Sequence, residues 1–155
     1  YRITNGPAFI DKLNFYHTDS SKKIIYKIKI NQKDKIISKK IFKRFSSKDG
    51  SPDGMTLDKN KNLWVAHFHG ACVSVFNNRA KLIHRINLPA KNITNCAFGG
   101  QNNSEIFITS ATKGMNSRDL QKYQCSGFLF SVKTNVRGFL QKKFILNNET
   151  KRSLL

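Results

Sequence analysis

Two short pairs, Asn5-Gly6 and Asp53-Gly54, carry the side chains best suited to chemistry in this sequence. Asn5 offers an amide oxygen and Asp53 a carboxylate. Both are hard donors that suit Ca²⁺, Mg²⁺, Mn²⁺ or a water-rich Zn²⁺ site. The glycine after each permits a tight backbone. Asn-Gly and Asp-Gly are also common turn pairs, and the local pattern alone favours a turn. Thr94 holds the position that aligns with Asp53 in a third such segment, with Asn95 beside it. One of the two can hydrogen-bond metal-bound water or a substrate; the alternative is a strand-start hydroxyl satisfied by backbone. His67 and His69 are two apart, so they share one face if their segment is a strand. No third ligand accompanies them, and they are read with His17 and His84 as surface or packing residues. Trp64 and Cys96 read as core. Ser20, Ser74 and Ser110 lack a nucleophile-elbow pattern, which argues against a serine hydrolase.

The elements that must position these residues are strands. Residues 24–30 alternate at period two after their first residue, and 63–68, 72–76, 105–109 and 128–132 are further short β runs. Polar clusters at Asp11-Lys12, Asp58-Lys59-Asn60, Asn77-Asn78 and 99–103 separate them. No segment sustains a 3.6-residue period, and 115–124 read as a short helical turn or a loop. The openings at Asn5, Asp53 and Thr94 are 48 and 41 residues apart. A propeller blade repeats at roughly 40–50 residues, and blades stack radially around a channel. The expectation is an all-β chain of three such units, with Asn5 and Asp53 each just before a channel-lining first strand.

Composition narrows the function classes. The 155 residues include 28 Lys+Arg and 9 Asp+Glu, for a net charge of +19, and 39% are apolar. That is too apolar for a disordered chain. No apolar run approaches the roughly 18 residues of a membrane span, so no membrane association is expected. The first residues do not form a secretory signal, and Tyr1 suggests a fragment or a processed chain. The charge invites a nucleic-acid partner, but 21 lysines outnumber 7 arginines, and Arg is the better base reader. Lys, Asn, Ile and Phe make up 64 residues, and all have A/T-rich codons. A solvated Lys-rich sheet face is therefore favoured over nucleic acid. Three widely spaced cysteines without a CxxC pair argue against a disulfide framework or a structural zinc site and fit the cytoplasm.

Longer motifs carry a resemblance. Thr4-Asn5-Gly6-Pro7-Ala8-Phe9 with Thr18-Asp19-Ser20 is one. Pro52-Asp53-Gly54-Met55 with Asn62-Leu63-Trp64-Val65-Ala66 is a second. Thr94-Asn95-Cys96-Ala97-Phe98-Gly99-Gly100 with Ile108-Thr109-Ser110-Ala111 is a third, and Gly127-Phe128-Leu129-Phe130 and Val136-Arg137-Gly138-Phe139 follow. In order and spacing these resemble the C-terminal half of the gluconolactonase/regucalcin (senescence marker protein) family. The resemblance implies a six-bladed β-propeller, of which residues 1–144 would cover about three consecutive blades, in units starting near 3, 51 and 92. Residues 145–155 would form a C-terminal tail.

It also implies one divalent metal (Ca, Zn, Mg or Mn) at the channel mouth, held by a Glu near the N-terminus, an Asn and an Asp. The last two map onto Asn5 and Asp53, which reverses the turn reading, and the Glu has no counterpart here. The implied activity is hydrolysis of a sugar lactone. That needs a Lewis acid on the ring carbonyl and an activated water, whose proton Asp53 can accept as a ligand or through a second bond. The family's substrate-contacting Arg and Asn, from an earlier blade, have no counterpart here, which leaves Thr94 and Asn95, from their aligned position, as the candidates for substrate contact. The missing N-terminal half would complete the ring, and this chain alone is expected to be inactive. The alternative is a propeller that binds metal or a partner without catalysis.

Overall fold

Alternation decides most of the architecture. The computed structural model describes residues 2–140, so the expected tail at 145–155 lies outside the described residues. Strands β1 (Thr4–Phe9), β2 (Asn14–Asp19), β3 (Ile24–Ile30) and β4 (Ile36–Arg44) form one antiparallel sheet in chain order. Strands β5 (Ser51–Leu57), β6 (Leu63–Phe68), β7 (Cys72–Phe76) and β8 (Leu82–Asn87) form a second. Strands β9 (Asn92–Gly99), β10 (Glu105–Ala111) and β11 (Leu129–Lys133) form a third. Helix α1 (Ser117–Lys122) lies between β10 and β11, capped by the Asn116 side chain, which accepts from the Asp119 N–H at 2.9 Å. The chain is thus all-β apart from short helical turns, and its three sheets do not close a barrel among the described residues.

The second sheet is the middle layer, and β6 shows why. Leu63 and Val65 face the first sheet, beside Ala8, Tyr16 and Ile25. Trp64 and Ala66 face the third, beside Ile93, Cys96 and Ile106. A strand buried on both faces reads as a continuous apolar run rather than as alternation. Each such Leu, Val or Ile contributes about 1.5–3 kcal/mol by leaving water. First strands β1, β5 and β9 pack side by side. They are the elements that bring the three openings together.

Strands β4 and β8 are not signalled by the sequence. Both lie at the outer edge of their sheets and are mostly exposed. Their hydrogen bonds to β3 and β7 make them strands, and their Lys and Arg side chains suit an unpaired edge. Lys39 lies over the Tyr26 ring at 4.4 Å and Lys43 over the Phe76 ring at 5.3 Å.

Two local expectations are corrected. His67 and His69 do not share a strand face, because β6 ends at Phe68 and His69 turns away with φ of 64°. The turn is tight: a Cβ on the following Gly70 would lie 2.5 Å from the Asp49 carbonyl oxygen. Asn5 and Asp53 do not precede their first strands but lie within β1 and β5.

Candidate functional site

Both residues sit where strand pairing slips. In β1 the register runs from Asn5↔Thr18 to Ala8↔Tyr16, so Gly6 and Pro7 oppose one residue of β2. In β5 it runs from Pro52↔His67 to Met55↔Val65, so Asp53 and Gly54 oppose Ala66 alone. In β9 Thr94 is the extra residue, between Ile93↔Ser110 and Asn95↔Thr109. Bulges of this kind turn side chains out of the ladder. The three positions are not strictly equivalent. Asp53 and Thr94 stand two residues before the buried Met55 and Cys96, whereas Asn5 stands three before the buried Ala8. Gly6, with φ of 89°, occupies in β1 the register position that Asp53 holds in β5.

Ser20 ties the first two strands together. Its hydroxyl donates to the Pro52 carbonyl at 2.6 Å and accepts from Asn5 Nδ2 at 2.9 Å. The Asn5 amide nitrogen is thereby occupied, and its oxygen is left for another partner. The Thr18 hydroxyl holds the Asn5 backbone carbonyl at 2.9 Å. Asn5, Ser20, Asp53, His69 and Lys113 line one cavity of about 470 Å³. Asn5, Gly6, Gly54, Thr94 and Asn95 line a second, of about 390 Å³. Asn5 is common to both.

Asp53 is half-buried and has no ion pair among the described residues. Burial pushes its carboxyl up to about 6, against a smaller opposing effect of the Gly54 N–H. A carboxylate raised in this way is stabilised by any cation brought beside it. Thr94 Oγ1 and Thr109 Oγ1 share a hydrogen bond of 2.7 Å. The Asn95 side chain lies against Gly54, where a Cβ would meet its oxygen at 2.1 Å, and that oxygen accepts the Cys96 N–H at 2.9 Å.

The residues present fit part of a hard-cation site. Asn5 and Asp53 supply two oxygen donors in one cavity, and an unpaired, half-buried carboxylate is what such an ion neutralises. No group of three or more His, Cys, Asp or Glu that could hold a metal occurs among the described residues. Cys96 is buried, and burial pushes its thiol up to about 12, so it is no nucleophile. A larger cavity of about 500 Å³ holds Asp58, but that carboxylate is already satisfied by Asn62 N and Nδ2 at 2.9 Å and Trp64 Nε1 at 3.0 Å.

The positioning role of Ser20 and the place of Lys113 at the cavity are found only in the structure. The available signal for Ser20 is its place in the motif Thr18-Asp19-Ser20. Nothing local marks Lys113.

Comparison with known proteins gives a coherent picture. Residues 1–112 match the model of the SMP-30/gluconolactonase/LRE-like region. A regucalcin of Danio rerio is 33% identical over 133 residues, covering 84% of this chain and 45% of that protein. A 6-deoxy-6-sulfogluconolactonase of Pseudomonas putida is 27% identical over 144 residues, covering 92% and 50%. The crystal structure of a calcium-binding protein, regucalcin, from Agrobacterium tumefaciens superposes with a TM-score of 0.84 at 21% identity, over 93% of this chain and 50% of that one. That likeness shows the fold. The chain spans a third to a half of the length of the curated relatives it matches.

Proposed function

Since the chain belongs to the SMP-30/gluconolactonase/LRE-like family, we propose that it is the metal-holding part of a gluconolactonase-like enzyme that hydrolyses a sugar lactone. The whole protein would be a six-bladed propeller, to which residues 1–144 contribute about three blades from the C-terminal half. The observation that carries this reading is that Asp53, without an ion pair among the described residues, lines the same cavity as Asn5, the two strands being joined through Ser20.

Asn5 and Asp53 would hold one divalent cation, for which Ca²⁺, Mg²⁺, Mn²⁺ and Zn²⁺ are the candidates. The name of the Agrobacterium neighbour puts calcium first. Bound there, the ion supplies Lewis acidity toward the lactone carbonyl. Asp53 takes the proton of the attacking water as the new C–O bond forms. It returns that proton to the ring oxygen as the ring C–O bond breaks, which leaves the hydroxy acid. A proton-transfer role of this kind is worth about 10²–10⁴-fold in rate. Thr94 and Asn95, at the rim shared with Asn5, orient the sugar hydroxyls.

One observation favours a second reading for the chain by itself. Its described residues supply two oxygen donors and no group of three or more His, Cys, Asp or Glu, which suits weak cation binding without turnover. Residues 1–155 alone are therefore expected to leave a simple aldonolactone intact.

The test uses the native protein isolated from its source. Chelation should abolish hydrolysis of aldono-1,4- and 1,5-lactones, and one of the four cations should restore it. Asp53→Ala should abolish it with the circular dichroism unchanged. Full activity after chelation, or in that variant, overturns the proposal.

A further inference from the structure

A separate cavity of about 240 Å³ opens between the first and second sheets, at the ends of β4 and β6. His67 lines it and is 1% exposed. Its Nδ1 lies 2.7 Å from the Asp49 carbonyl oxygen. A carbonyl only accepts, so Nδ1 carries the proton and Nε2 presents a lone pair. That Nε2 is buried and has no hydrogen-bond partner. Burial, helped by the nearby Arg85 charge, holds the imidazole below its usual range, so it is neutral at physiological pH. A buried acceptor left unpaired is destabilising, so this cavity-lining residue calls for a hydrogen-bond donor.

The walls call for negative charge. Lys43, Arg44 and Arg85 line the cavity, and none of them has an ion pair among the described residues. Arg85 donates Nε–H to Cys72 Sγ at 3.1 Å, which fixes the guanidinium and leaves its terminal nitrogens for a ligand. The Lys43 ammonium is held near the wall by the Phe76 ring. The one acid in the lining, Asp49, accepts from Ser46 N and Oγ, each at 2.8 Å, and offsets part of the charge of Arg85, which leaves the three cations in excess over it. Ser74, also buried, adds a hydroxyl. Asn5 and Asp53 take no part.

We propose that this cavity is an inorganic phosphate site, in which a P–OH group donates to His67 Nε2 while the charged oxygens accept from Arg85 and Lys43. The neutral imidazole is the selective element. Inorganic phosphate keeps at least one P–OH near neutral pH, whereas sulfate has none, and a phosphate monoester, with a second pKa of about 6, has lost its own above about pH 7. The same logic separates free phosphate from an esterified headgroup.

The test is calorimetric titration of the full protein at about pH 7.5 with inorganic phosphate, sulfate and methyl phosphate, alongside the ¹⁵N signal of His67 Nε2. Phosphate should bind at least about tenfold more tightly than either of the others, a difference of about 1.4 kcal/mol, and should move the Nε2 signal. Arg85 is exposed, so Arg85→Ala should leave the circular dichroism unchanged. It should weaken phosphate at least about tenfold and leave lactone hydrolysis unchanged. Equal binding of sulfate or methyl phosphate would overturn the proposal, because it means screening of surface charge. So would an unmoved Nε2 signal, or the absence of any response, which means the cavity holds water only.

Discussion

Replacing Asp53 by Asn should stabilise the metal-free protein and destabilise the metal-loaded one relative to wild type. In the fold burial pushes the Asp53 carboxyl up to about 6, against 3.8 for an unperturbed one. A separation of about two pH units, at about 1.36 kcal/mol each, sets a ceiling of about 3 kcal/mol. Asp53 is only half-buried, so solvent screening reduces this to about 1–1.5 kcal/mol. The sign follows from linkage. The unfolded chain loses this proton first, so wild type loses stability as pH rises from about 4 to about 6, and the loss is complete above that. The variant has no carboxyl at this position and no such loss.

Urea unfolding followed by the fluorescence of buried Trp64 measures both proteins, first with chelator. The two should agree below about pH 4, and Asp53→Asn should lead by about 1–1.5 kcal/mol above about pH 6.5. A divalent cation at about a hundred times its dissociation constant then adds about 2.7 kcal/mol to wild type alone and reverses the order. A variant that is the less stable protein in chelator at neutral pH would refute the reasoning, as would a difference that does not change with pH.

Three further outcomes are expected. Ser20→Ala removes the link between Asn5 and Pro52; it should cost about 1–2 kcal/mol in urea unfolding and weaken cation binding about tenfold. Gly54→Ala places a Cβ 2.1 Å from the Asn95 side-chain oxygen and 2.8 Å from its Cα; overpacking of about 1–3 kcal/mol should appear as a lower melting temperature. Trp64→Phe removes the Nε1–H bond to the buried Asp58 carboxylate; circular dichroism melts should show a loss of about 1–3 kcal/mol.

What was legible in the sequence depended on local alternation. Strands β3 and β7 have the bounds the apolar pattern predicts, because each is framed by turn residues and buries several of its side chains. Strands β4 and β8 were hidden because Lys39, Lys40 and Lys43, or Leu82, Ile83 and His84, lie at an outer edge where neither face is committed to a core. The motif register made Asn5 and Asp53 look equivalent. The strand register sets them one residue apart: β1 and β5 carry the same slip, and Asn5 stands where β5 has Pro52, an offset that residue types alone do not reveal. The Ser20–Pro52 hydrogen bond spans 32 residues, so only the packing of β1 on β5 reveals it. His67 reads as a surface or packing residue in the sequence and is buried in the structure, and its unpaired nitrogen is visible only once Asp49 is seen to hold the other.

The most direct measurement of the central claim is addition of Mn²⁺ to the ¹⁵N-labelled protein. Paramagnetic broadening reports distance from the ion, so the site locates itself. The amide signals of Asn5, Gly6, Asp53 and Gly54 should be the first to vanish, and Asp53→Asn should leave them sharp. Broadening centred elsewhere, for instance on Asp11 or Asp119, with the Asn5 and Asp53 regions unaffected, would contradict the account.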